Sequence, residues 1–264
     1  MKEPFVSTKT GAPPSLPSSA EWLQVRLRKA YALSEESPHL FASPLGPFYF
    51  GGRHATLPRL VFFGPHASDD SWRLCFLAGF DRRDLRPSHA LLALAERLAD
   101  DVETGHGLNL SLFPIVDAAG LFLGFPDRAL RTLPWGGGGT PEIELLERDA
   151  RARSYHGFIR VETAPLGDDI ASIHIRAPRA DPLSPDLELI SSEDTDPVPV
   201  RFEAATPGPA GPLSLTEDLP FAPFELTLRL PGQWTNERYQ RTAAILLQRF
   251  LWRYRAFQAY GLHL

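Results

Sequence analysis

Apolar positions recur at helical spacing from Ser19 to about Leu33, where Trp22, Val25, Leu27 and Tyr31 form an uneven stripe behind a serine able to cap the first turn. Residues 34–58 break into short punctuated pieces and predict loop, with one short strand at Phe48–Phe50. Arg59–Phe63 and Trp72–Ala78 are near-continuous apolar runs and predict strands; the turn-rich Gly64–Ser71 between them predicts a hairpin. Pro87 suits the first turn of a helix running to about Asp101, with Leu91, Leu94, Ala95 and Leu98 on one face. Gly105 and Gly107 end it, and Leu108–Val116 predicts the next strand. Strand, helix and strand in so short a span predict a βαβ crossover and a partly parallel sheet. Ligands of such sheets sit outside the carboxyl ends of the strands, which points to loops 80–86 and 117–140.

The pattern continues with a helix over Pro141–Arg153, whose first turn carries Glu142 and Glu144. Gly157–Thr163 and Ile170–Arg176 predict strands. Residues 177–220 hold nine prolines and many acids, and predict an irregular surface excursion with a short strand around Pro199–Glu203. Phe224–Leu230 alternates as a strand. Asn236–Tyr260 is a long terminal helix with Ala243, Leu247, Phe250, Leu251, Tyr254 and Phe257 as its stripe. The first 18 residues are polar and proline-rich and predict a flexible arm ahead of one domain over 19–264, with no secretory signal.

Composition narrows the function classes. A chain of 264 residues with 43% hydrophobic residues can bury one sizeable core. Its net charge of −5 disfavours nucleic acid as a partner, because phosphate binding needs a basic face. No apolar run approaches the roughly 18 residues of a membrane span. A single cysteine, Cys75, excludes an intrachain disulfide and fits a reducing, cytoplasmic setting.

Common catalytic signatures are missing. There is no Gly-x-Ser-x-Gly, and Gly136–Gly139 lacks the Lys-Ser/Thr of a phosphate loop. Cys75 sits inside an apolar strand and reads as a small core residue. The eight histidines are scattered, with no His-x-x-x-His or His-x-x-Glu pair. The arginines Arg82, Arg83, Arg249, Arg253 and Arg255 read as solvated surface.

The order of segments resembles the zinc carboxypeptidases, including the succinylglutamate desuccinylase and aspartoacylase branch. Arg73-Leu-Cys-Phe-Leu-Ala-Gly-Phe-Asp-Arg-Arg-Asp84 is similar to the strand that ends in Ala-Gly-Ile/Leu-His-Gly-Asp-Glu, whose His and Glu bind zinc. Leu112-Phe-Pro-Ile-Val-Asp-Ala-Ala-Gly120 is similar to Pro-x-x-Asn-Pro-x-Gly. Pro141-Glu-Ile-Glu-Leu-Leu-Glu147 follows, then Tyr155-His-Gly-Phe-Ile-Arg-Val-Glu162, similar to a strand ending in Leu-His. Pro223-Phe-Glu-Leu-Thr-Leu-Arg-Leu-Pro-Gly232 stands where the family has Phe-Glu-Thr-Pro or Thr-x-Glu before its last helix. The resemblance spans most of residues 45–260. It implies a three-layer α/β/α sandwich with a mixed sheet of about eight strands (a phosphorylase/hydrolase-like fold).

Carried across by position, the resemblance puts Asp81, Asp84 and Glu162 at the zinc ligands and Arg229 at the general base. It puts Asp117 at the Asn of the Asn-Pro pair, and Arg128 or Arg131 at the substrate-binding Arg. Three carboxylates suit Mg²⁺, Mn²⁺ or Ca²⁺ better than zinc. An arginine stays protonated and cannot take a proton from water. Without a metal, three converging acids repel, and a guanidinium fork from Arg229, joined by Arg82 or Arg83, can bridge them instead. Three readings follow. One is a non-catalytic relative without cofactor that binds a peptide or amino-acid derivative. The second is a metal-dependent peptidase or amidohydrolase with an oxygen-rich divalent-ion site. The third is an unrelated α/β domain in which Asp81 and Asp84 cap a helix.

Overall fold

Apolar runs without alternation belong to strands covered on both faces, and β5 (Trp72–Leu77) is one: from Leu74 to Leu77 every residue is buried. The computed structural model describes residues 19–125, 130, 139–165, 167–177, 198–207 and 223–261. Within them β5 lies inside an eight-stranded mixed sheet. The sheet also contains β1 (Leu40–Ala42), β4 (Leu60–Phe63), β6 (Leu108–Phe113), β7 (Gly157–Thr163), β8 (Ala171–Ala177), β9 (Val200–Pro207) and β10 (Phe224–Leu230), in the order β1-β4-β6-β5-β7-β10-β8-β9. Strands β6, β5, β7 and β10 run parallel. The helices α1 (Ser19–Glu36), α2 (Arg86–Asp100) and α5 (Asn236–Gly261) pack into one core on one face, α1 through Leu23, Leu27 and Ala30, while Trp22 and Val25 of its expected stripe stay exposed. Helices α3 (Ala118–Leu123) and α4 (Pro141–Arg153) pack in a second core on the other, together with a separate ribbon of β2 (Leu45–Phe50) and β3 (Arg53–Leu57). The expected three-layer architecture and mixed sheet are therefore present.

The expected β4–β5 hairpin is absent. β6 lies between the two, antiparallel to β4 and parallel to β5. Both runs are too apolar to leave an edge bare, so a third strand is inserted. The parallel β5–α2–β6 crossover is as predicted. The region 34–58 holds β1, β2 and β3 where the sequence predicted mostly loop. Gly51 and Gly52, both at positive φ, make the two-residue turn of the β2–β3 hairpin. α1 runs one polar turn past its apolar stripe, to Glu36. The predicted arm 1–18 and most of the excursion 177–220 lie outside the described residues; within the excursion, β9 matches the strand expected at 199–203.

A buried polar cluster ties α4 to the sheet. Arg59 pairs with Asp149 of α4 and donates to the Ser43 carbonyl at 2.7 Å. Tyr155, ahead of β7, donates to the other Asp149 oxygen at 2.6 Å.

Two predictions follow from the packing. Gly79 ends β5 at φ +70°, and a Cβ there would stand 2.7 Å from the Pro114 carbonyl oxygen. Gly79→Ala is expected to lower stability by about 2 kcal/mol in urea unfolding. His156 Nδ1 accepts the Arg73 backbone N–H at 3.1 Å, and burial, aided by the Arg73 charge, pulls its pKa from 6.5 to about 4. Between those values the unfolded chain holds a proton that the folded chain does not. Stability therefore falls as pH drops through 6.5 toward 4. His156→Gln is expected to remove part of that slope in urea midpoints measured at about pH 7 and about pH 5.

Candidate functional site

Because β6, β5, β7 and β10 run parallel, their carboxyl ends and following loops share one edge of the sheet. The loops are knit together there: Val116 and Asp117 donate backbone N–H to Ala78 and Gly79. Asp81, Asp84, Asp117, Glu162 and Arg229 all lie at or beside this edge. Alternation along each strand then decides which of them meet.

On β7, Glu162 and Thr163 point to opposite faces. Glu162 shares its face with Arg160, and with Glu225, Thr227 and Arg229 of β10, Ser172 and His174 of β8, and Glu203 of β9. The other face of the same strands carries Ile159, Val161, Leu226, Leu228, Ile173 and Ile175 into the larger core. One half of the sheet thus bears a polar, charged face. Glu162 stands opposite Arg229 in the β7–β10 register, with Arg229 Nε 3.9 Å from its carboxylate. Arg229 also approaches Glu203 at 3.5 Å and keeps 36% of its side chain exposed. The closer partner of Glu162 is Arg160, whose guanidinium contacts Glu162 at 2.6 Å and Glu225 at 3.3 Å and lies 4.6 Å over the Phe80 ring.

Asp84 is on the other side of the edge. It is held by a two-pronged pair with Arg86, both contacts 2.8 Å, and by a hydrogen bond from Thr163. Arg86 in turn donates to the Gly232 carbonyl at 2.6 Å and lies over Tyr239, whose hydroxyl reaches the Glu162 carbonyl. Burial raises the pKa of Asp84, but the Arg86 and Thr163 hydrogen bonds outweigh it and hold the carboxyl below its ordinary value. Asp81 is turned onto its own loop, accepting from the Arg83 backbone at 2.9 Å and side chain at 3.1 Å.

The structure therefore brings Glu162 and Arg229 together, and keeps Asp84 and Asp81 in separate pairs. Among the described residues no three His, Cys, Asp or Glu side chains gather as metal ligands. Asp81, Asp84 and Glu162 each face a guanidinium, and Asp84 and Glu162 project to opposite faces, so these three do not converge as one donor set. Asp117, placed by resemblance at a substrate position, is 2% exposed and caps α3 by accepting the Gly120 N–H at 2.9 Å. Glu142 accepts the Ala119 N–H beside it. Arg128 and Arg131 lie outside the described residues. Cys75 is buried, and burial, then Asp149, push its thiol up.

Arg160 and Arg86 hold two of these acids and were not singled out in the sequence. A signal existed for both. Arg160 stands two residues before Glu162, hence on its face, and Arg86 stands two residues after Asp84 in the loop.

No protein-family model and no curated protein matches the sequence. Solved structures do match its fold. A metallopeptidase candidate from Shewanella denitrificans superposes with a TM-score of 0.60 at 16% identity, covering 88% of this chain and 89% of that one. A metallo-carboxypeptidase from Burkholderia cenocepacia gives 0.60 at 13% identity over 91% and 70%. Carboxypeptidase A from Helicoverpa armigera gives 0.58 at 12% identity over 90% and 73%. The chain has a zinc carboxypeptidase-like fold.

Removing the Arg160 fork leaves two buried carboxylates facing each other. Arg160→Met is expected to lower stability by about 3 kcal/mol in urea unfolding. The longer, more exposed contacts of Arg229 predict less than about 1 kcal/mol for Arg229→Met. Equal effects of the two variants would show that the fork does not hold the face together.

Proposed function

We propose that this chain is a non-hydrolytic, carboxypeptidase-like binding domain for a peptide or amino-acid derivative. The observation that carries this reading is the Arg160 fork on Glu162 and Glu225, with Arg229 in register beside Glu162. Hydrolysis by a metal-bound water needs an open metal position and a carboxylate free to take the proton. Here Glu162 already accepts from Arg160, and Arg229 at the expected base position carries a permanent charge. The same charge suits ligand binding. Arg229 is a partly exposed cation of the polar face, with contacts of 3.5 and 3.9 Å to its acids, and its planar fork matches a carboxylate. His174, two register positions along the same face, has its pKa lowered, by burial first, and adds a polar ring to that face. The fold-level likeness to metallo-carboxypeptidases supports a ligand at this edge of the sheet.

The test uses hippuryl-phenylalanine, a blocked dipeptide with a free carboxylate. The purified full chain, never exposed to chelator, is expected to bind it in calorimetry, to leave it intact over a day, and to contain less than about 0.1 equivalent of transition metal. Arg229→Ala is expected to weaken binding by about tenfold. One equivalent of tightly held zinc together with release of phenylalanine overturns the proposal, as does unaltered affinity in Arg229→Ala.

A further inference from the structure

On the helix side of the sheet edge, away from the charged face, a cavity of about 710 Å³ opens between α1, the start of α2 and the first turns of α5. Its volume lies within the roughly 300–1,000 Å³ of small-molecule sites. It owes nothing to the reading above: Glu162, Glu225 and Arg229 are not among its walls.

Its lining has three parts. The apolar wall is Trp22 with Val25, one helical turn apart on α1, exposed by 55% and 38%. The two stand side by side on the helix, rimmed by polar groups beside the concavity, an arrangement that suits contact with a ligand. The floor is built before any ligand arrives. Arg26 is fixed by Glu96 at 2.7 and 2.9 Å and by Gln240 at 2.9 Å. His89 lines the floor beside it, and burial, then the Arg26 charge, bring its pKa to about 4, so its ring is neutral at pH 7. The third part is the cationic rim of Lys29 and Arg83. Arg83 meets Asp81 at 3.1 Å and keeps 69% of its side chain in solvent, so its pair is one of modest strength. Over the lining together with Asp81, which pairs with Arg83, the cations Arg26, Lys29, Arg83 and Arg86 exceed the acids Asp81, Asp84 and Glu96 by one charge.

We infer that this cavity is a binding site for a small aromatic carboxylate, its ring against Trp22 and Val25 and its carboxylate at Lys29 and Arg83. A flat apolar body answers the exposed indole, whose ring contacts are worth more than area alone. One negative charge answers the excess of cations. The neutral imidazole of His89 tolerates a buried ring edge without a charge to desolvate.

The experiment is calorimetry on the full chain with 2-naphthoate and its uncharged isostere 2-naphthamide. Naphthoate is expected to bind saturably, and naphthamide at least about tenfold more weakly. Trp22→Ala and Lys29→Glu each change an exposed residue, with folding checked by circular dichroism, and each is expected to weaken naphthoate by about tenfold. Arg229→Ala, on the other face, is expected to leave it unchanged. The inference is overturned by no saturable heat at up to about 10 mM naphthoate. Equal affinity for acid and amide, retained affinity in either α1 variant, or loss in Arg229→Ala overturns it equally.

Discussion

Glu162 and Thr163 are chain neighbours on a strand, and a strand sends neighbours to opposite sides. Everything at the carboxyl edge of the sheet follows from that separation. Thr163, with Tyr239, belongs to the helix layer of α2 and α5 and draws Asp84 and Arg86 to it. Glu162 belongs to the charged face and draws Arg160 and Arg229. Two acids at adjacent levels of one edge are thereby placed in different electrostatic neighbourhoods, each neutralised within its own.

Both neighbourhoods solve the same physical problem. A carboxylate taken out of water needs a counter-charge with good hydrogen-bond geometry, or it takes up a proton. In a metal centre the ion supplies that charge to several ligands at once. Here guanidinium groups supply it pair by pair, and each one comes from within two residues of its acid: Arg83 for Asp81, Arg86 for Asp84, Arg160 for Glu162. Such local pairing needs no long-range convergence of acids. It also leaves Arg229 less tightly engaged than the others, which is what makes it the group offered to a ligand in the proposed binding role.

Much of this architecture was legible in the chain. The βαβ unit, α4, β7, β10 and α5 announce themselves through long runs of regular spacing, and their observed bounds agree within a residue, except that β6 stops at Phe113, three residues short of the expected Val116. What was hidden is instructive. β1 is three residues long, and the β2–β3 ribbon is interrupted by Gly46, Pro47, Gly51 and Gly52, so neither reaches the length at which periodicity speaks. The position of β6 between β4 and β5 is a matter of tertiary order that spacing along the chain does not encode. Of the site, the resemblance located Glu162 and Arg229 together at one edge. It did not distinguish the face of Asp84 from that of Glu162, because the loop after β5 lies outside any strand whose alternation could be counted. It also passed over Asp117's local task, since a cap and a ligand site use the same short acid.

The Arg59–Asp149–Tyr155 cluster bears on how α4 finds its seat. Leucine and isoleucine stripes tolerate several alignments of a helix on a sheet at similar cost, since apolar contact is non-directional. A displacement of α4 by one turn, about 5.4 Å, would carry Asp149 past both partners and strand an arginine, a phenol and an acid in the interior. These three polar groups thus act as an indexing pin: they add little to the depth of the native basin but remove its nearest rivals, so that the short layer built from α3, α4 and the ribbon has one docking position.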